Sequence, residues 1–151
     1  MNESVFKIAY ELAQEAFQSD EVPVGAVIFN TQTQEIIAMA RNRTEEMKSP
    51  LAHAEILCIE KACEKLNEKR LVGYSLFVTL EPCAMCAGAI AGARLDNLYY
   101  GAYDPKSGAV KQGAEVFTHS QTHHKPFVQG GIHEQECGDL MRLFFKNKRK
   151  K

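Results

Sequence analysis

The chain reads as an α/β protein, with helices and strands alternating around a largely parallel sheet. Three observations predict this: an amphipathic helix at the start, two strand-like runs joined by a polar turn, and regular alternation of helical and strand-like segments after them. From Glu3 to Phe17, Val5, Ile8, Ala9, Leu12, Ala13 and Ala16 recur at helical spacing with Lys7, Glu11 and Glu15 between them, which predicts the helix. Val24 to Phe29 and Ile36 to Ala40 are rich in β-branched or aliphatic residues, and Asn30-Thr31-Gln32-Thr33-Gln34 between them suits a turn, so the pair predicts a hairpin.

His53 to about Leu66 carries Ile56, Ile59 and Ala62 on one face and predicts a second helix, broken at Leu71 to Gly73. Ser75 to Thr79 reads as a short buried strand, Cys83 to Ala91 as a buried helix, Asn97 to Gly101 as a strand, and Glu134 to about Lys148 as a final helix. The region from Gly108 to Pro126 has no clean period and stays open. Neither an internal repeat nor an interdomain linker interrupts the pattern, so residues 1–151 are expected to form one domain.

At 151 residues, 45% hydrophobic and 25% charged, the chain can bury a core without disulfides. No apolar run approaches the roughly 20 residues that span a bilayer, and the Met1-Asn2-Glu3 start lacks the basic and apolar regions of a secretory signal. A soluble, cytoplasmic protein is expected. Five cysteines are an odd number, and Cys83 and Cys86 lie too close together to organise a secreted disulfide framework, so metal-binding or catalytic thiols fit better. The net charge is −1, yet Lys146 to Lys151 hold four lysines and one arginine; this basic C-terminal tail suits phosphate.

Two segments carry chemistry, Ala52-His53-Ala54-Glu55 and Glu81-Pro82-Cys83-Ala84-Met85-Cys86. Cys83 and Cys86 at i and i+3 share a helix face at its first turn, directly after Pro82, where unpaired N–H groups favour thiolates. His53 and Glu55 at i and i+2 act together only at a helix entrance. A His/Cys/Cys set leaves one position of a tetrahedral zinc open to water, as in a catalytic site, and lowers that water's pKa to about 7. Glu55 then takes its proton and passes it to the substrate.

A lone C-x-x-C opening a helix also fits a thioredoxin-like redox pair. The combined H-x-E and P-C-x-x-C pattern instead resembles that of zinc deaminases acting on nucleobases. Cys58, Cys63 and Cys137 read as small buried apolar residues, and His119, His123, His124 and His133 as surface residues.

The pattern extends further, through Glu21-Val22-Pro23-Val24-Gly25-Ala26-Val27, Asn42, Thr79 to Ala89, Gly101-Ala102-Tyr103-Asp104-Pro105-Lys106-Ser107-Gly108, and Phe144-Phe145. Across nearly the whole chain it resembles the cytidine deaminase superfamily, and within it the bacterial enzymes that deaminate adenosine in tRNA. The resemblance implies a three-layer α/β/α sandwich around a mixed, mostly parallel five-stranded sheet. It implies one zinc per chain on His53, Cys83 and Cys86, with Glu55 catalytic, and a homodimer converting adenosine to inosine at the wobble position of an arginine tRNA. Asn42 would contact the flipped base, and Asp104, Lys106 and Ser107 would touch RNA.

Phe144 and Phe145 are adjacent, so one faces the core while the other projects; an exposed aromatic beside Lys146, Lys148 and Arg149 suits stacking and phosphate contact. Phe145, Lys148 and Arg149 are therefore read as RNA-binding. The sequence departs from the family where Lys111-Gln112-Gly113-Ala114-Glu115-Val116 replaces a Ser-Leu-Met pattern and where His123 replaces an asparagine. Two other readings stay open: a deaminase of a free nucleobase or nucleoside such as guanine or cytosine, and a non-catalytic zinc module that binds RNA and leaves Glu55 without a role.

Overall fold

A computed structural model of the chain describes residues 1–149; Lys150 and Lys151 of the basic end lie outside the described residues. The elements follow in the order α1 (Glu3–Gln18), β1 (Gly25–Asn30), β2 (Ile36–Arg41), α2 (Ala54–Leu66), β3 (Tyr74–Leu80), α3 (Ala84–Gly92), β4 (Asn97–Ala102), β5 (Phe127–Gln129) and α4 (Glu134–Arg149), with a short 3-10 turn at Val116–Thr118.

Local chemistry sets the boundaries. Asn2 begins α1 by accepting the Ser4 N–H on its side-chain oxygen at 3.1 Å, a standard N-cap. Asn30 closes the hairpin turn by accepting the N–H groups of Gln32 and Thr33, both at 2.9 Å, as Asx turns do. Asn67 ends α2 in the left-handed region at φ 52°, which asparagine tolerates better than most residues. α1 lies so close to β1 that a Cβ on Gly25 would meet the Ala9 carbonyl oxygen at 2.0 Å, so only glycine fits there.

The sheet order is β2-β1-β3-β4-β5. β1 pairs antiparallel with β2 and β3, whereas β3–β4 and β4–β5 are parallel. The pairings divide evenly, but four of the five strands point one way and β1 alone runs against them. Successive side chains of a strand face opposite layers, and two cores result. Ala26, Ile28, Leu76 and Val78 pack with Ala54, Cys58 and Ala62 of α2 and Ala87 and Ile90 of α3. Val27, Phe29 and Phe77 pack with Val5, Phe6 and Ala9 of α1 and Cys137 of α4. Helices cover both faces, and the three-layer sandwich is the one expected.

Three details differ from the sequence reading. β5 falls just beyond the segment left open; it is three residues long, too short for a sequence to display a period. Cys63 is half-buried, unlike the buried Cys58 and Cys137, because it sits off the sheet-facing stripe of α2. Lys146 to Arg149 are not a separate tail but the last turn of α4, where basic side chains offset the negative end of the helix dipole.

Candidate metal centre and active-site cleft

His53 and Cys83 are both N-cap residues, of α2 and α3 respectively, each with extended backbone and neither spending its side chain on the cap. Two helix starts thus present an imidazole and a thiol to one place. Cys86, in the first turn of α3, adds the second thiol. The Cys83 and Cys86 sulfurs lie 3.7 and 3.5 Å from His53 Nδ1, and the three ligand atoms fall within 4.8 Å of one another. A tetrahedral zinc with its usual bonds to nitrogen and sulfur separates those atoms by about 3.6 Å. The donor set fits the ion in chemistry and spacing, and it is the only such group among the described residues.

The electrostatics of the three groups differ. Cys83 is held down to about 4, first by the hydrogen bond from the Cys86 thiol and then by His53 and the Cys86 backbone N–H, against the opposing effect of burial. Cys86 moves up, because its proton serves Cys83 and because it is buried. His53 moves up through its hydrogen bond to Cys83 and the nearby Glu55 charge. This is the pattern of a cluster that shares protons and releases them to a cation.

Glu55 lies in the first turn of α2, 4% exposed. Burial raises its pKa to about 7, against the lowering effects of backbone hydrogen bonding and His53. A carboxyl poised there can both accept and return a proton near neutrality. Asn42 is buried, and its Oδ1 accepts the Ala54 N–H at 2.7 Å. It therefore supplies the cap that His53 does not, leaving the Nδ2 donor for another partner.

The remaining candidates separate. Asp104 Oδ1 accepts the Lys106 and Ser107 N–H groups at 3.1 Å, so it builds the turn, whereas the Lys106 and Ser107 side chains are exposed. Phe144 is buried against Phe17, with ring centroids 5.7 Å apart, while Phe145 is 42% exposed. Lys148 Nζ pairs with Asp20 at 2.6 Å and lies 5.5 Å from the Phe144 ring centre; Arg149 is exposed. His119 and His123 are exposed, His124 hydrogen-bonds the Leu95 carbonyl, and His133 bridges Glu3 and Glu136. Burial pushes the Cys58 thiol up and Cys137 up to about 12, which leaves both inert.

Two further residues, Glu21 and Glu81, fall inside the motifs of the sequence but carried no role there. The buried carboxylate of Glu21 accepts the N–H groups of Glu45 and Glu46 at 3.0 and 2.7 Å, fixing the loop that leads to His53. Glu81 plays the corresponding part before Cys83. The signal available was an acidic residue beside an apolar strand end, which stays buried only if N–H donors surround it.

The MafB19-like deaminase family matches residues 1–149. The tRNA-specific adenosine deaminase of Agrobacterium fabrum (strain C58) is 48% identical over 143 residues, covering 95% of this chain and 93% of that protein. The enzyme of the same name from Rickettsia bellii is 46% identical over 138 residues, covering 91% and 95%. A solved structure from work on A-to-I editing by tRNA:A34 deaminases at the wobble position of transfer RNA superposes with a TM-score of 0.88 at 45% identity, covering 92% of this chain and 99% of that one. The architecture is cytidine deaminase-like. A fold shared over almost its full length, and identity near one half, place this chain in the family of the tRNA-specific adenosine deaminases.

Proposed function

We propose that this deaminase converts adenosine to inosine at the wobble position of a tRNA, that of arginine, using one zinc on His53, Cys83 and Cys86 and Glu55 as proton carrier. The observation that carries the reading is the three-ligand cluster at tetrahedral-edge spacing with the buried Glu55 beside it, in a chain similar along its length to tRNA-specific adenosine deaminases. When bound, zinc supplies the Lewis acidity that makes a water nucleophilic near pH 7. Glu55 takes a proton from the water that adds to C6, passes it to ring N1, and then returns a proton to the leaving amine. Water plus adenosine becomes inosine plus ammonia.

Asn42 offers Nδ2 to the extruded base, because its oxygen is committed to Ala54. The exposed Lys106 and Ser107, with Asp104 shaping their turn, would meet the anticodon loop, and Phe145 would stack on a base. Arg149 would contact phosphate, and Lys148 would do so by exchanging its partner Asp20. The family match along 1–149 supports a single domain. We further assign a homodimer acting in the cytoplasm; among the described residues no helix is long and apolar enough to cross a membrane.

The test incubates the purified, zinc-loaded protein with an arginine tRNA anticodon stem-loop and, separately, with free adenine, guanine and cytosine. Inosine at the wobble position with no ammonia from the free bases is the expected result. Ammonia from a free base with an unchanged stem-loop would make that base the substrate.

A further inference from the structure

We infer that Glu81 is a positioning residue that locks the 104–112 loop, with its RNA-facing turn, to the start of the ligand-bearing helix α3; the RNA part of this inference rests on the function proposed above. Glu81 is 2% exposed at the junction between β3 and Cys83. Its Oε1 accepts the Asp104 N–H and a Gln112 Nε2 hydrogen, both at 3.0 Å. Its Oε2 accepts the Val110 and Lys111 N–H groups at 3.1 and 2.9 Å. All four donors come from one loop, which meets the carboxylate's need for buried hydrogen bonds. The loop closes around it: Ala109 N–H donates to the Pro82 carbonyl at 2.9 Å, and a Cβ on Gly108 would lie 2.5 Å from Glu81 Cδ and Oε1.

Apart from bonds within the turn to Asp104 and the Val116 N–H that donates to the Ala109 carbonyl at 2.9 Å, the loop has little else to hold it. Its side chains from Asp104 to Ser107 are polar or exposed, and only Ala109 and the half-buried Val110 bring apolar surface inward. Lys106 and Ser107, by contrast, sit in a turn beside that bound glycine. The side chain of Glu81 thus sets where the turn lies, while its backbone leads two residues on to Cys83. Metal ligand and substrate loop share one register.

Glu81→Gln keeps the shape but places an NH2 group against two N–H donors whichever way the amide turns. Zinc should stay at about one per chain, since α3 still carries both thiols. The amides of Asp104, Val110 and Lys111 should exchange hydrogen about tenfold faster, and KM for the stem-loop should rise about tenfold, while kcat changes less than about threefold. Gly108→Ala, which pushes the loop off the carboxylate from the other side, should reproduce both shifts; Gln112→Ala, which removes one of the four donors together with its bond to the Asp104 carbonyl at 2.9 Å, should give a smaller shift in the same direction. These two variants decide the matter if Glu81→Gln does not fold. Unchanged exchange and KM in the folded variants would overturn the inference, as would zinc loss or a fall in kcat at unchanged KM in Glu81→Gln. A wild-type protein that deaminates no stem-loop would instead refute the RNA reading, and the exchange rates alone would then judge the anchoring.

Discussion

The candidate metal centre and the rim proposed to meet RNA are built on different principles. At the centre, His53, Cys83, Cys86 and Glu55 are all at helix starts, half-buried or buried, and the backbone beneath them is pinned by the buried side chains of Asn42, Glu21 and Glu81. At the rim, Lys106, Ser107, Phe145 and Arg149 are exposed, and two of the expected RNA-binding side chains already have partners: Asp104 with its own turn and Lys148 with Asp20. A side chain held by burial has one geometry, and replacing it removes a whole function. A side chain held by solvent-exposed pairing has several, and its removal has a graded effect.

The contrast predicts a descending series of effects. Cys83→Ala and Cys86→Ala should each lose the zinc and with it all measurable turnover, because two remaining ligands do not make a stable site; metal analysis at full zinc occupancy in either variant would break the assignment. Glu55→Gln should lower kcat by about 10²- to 10⁴-fold with zinc retained. Zinc loss in that variant would turn Glu55 into a ligand, and near-normal turnover would remove it from the mechanism.

The two roles proposed for Asn42, helix cap and base contact, can be separated. Asn42→Ala removes the acceptor for the Ala54 N–H and should cost about 1 kcal/mol of unfolding free energy as well as substrate affinity. Asn42→Asp keeps the acceptor and loses the donor, so stability should hold while KM for the stem-loop rises about tenfold. Equal loss of stability in the two would mean that Asn42 only shapes the helix entrance.

The smallest effect belongs to the rim. Truncation after Phe145 removes Lys146 to Lys151 and should flatten the slope of log affinity against log salt by roughly 0.7 to 0.9 for every phosphate that the removed cations had neutralised. Lys148→Gln alone should shift it by less than one such step, since the Asp20 pair must first be exchanged. Zinc content should not move in either. An unchanged slope after truncation would leave the end of α4 as a solvated helix terminus.

Much of this was legible from residue order because the signals are local. The α1 stripe, the polar turn between Val24–Phe29 and Ile36–Ala40, and the i, i+3 thiols after Pro82 all depend on neighbours within about one helical turn or one strand repeat. The two aromatic neighbours Phe144 and Phe145 divided as helical geometry requires, one inward and one outward. β5 was invisible because three edge residues carry no period, and the open segment before it is held by long-range contacts such as that of His124 to the Leu95 carbonyl.

By itself the sequence determined the α/β class, the order of the four helices and the first four strands, and the identity of the candidate ligands and proton carrier, since each follows from side-chain chemistry at short spacing. Only the tertiary structure decided that His53 Nδ1 comes within 3.7 Å of a sulfur thirty residues away, that the Asn42 oxygen is spent on α2, and that Glu81 gathers four donors from the 104–112 loop. These are contacts between groups far apart in the chain, and their partners are chosen by how the sheet brings strand ends together, not by anything adjacent residues can encode.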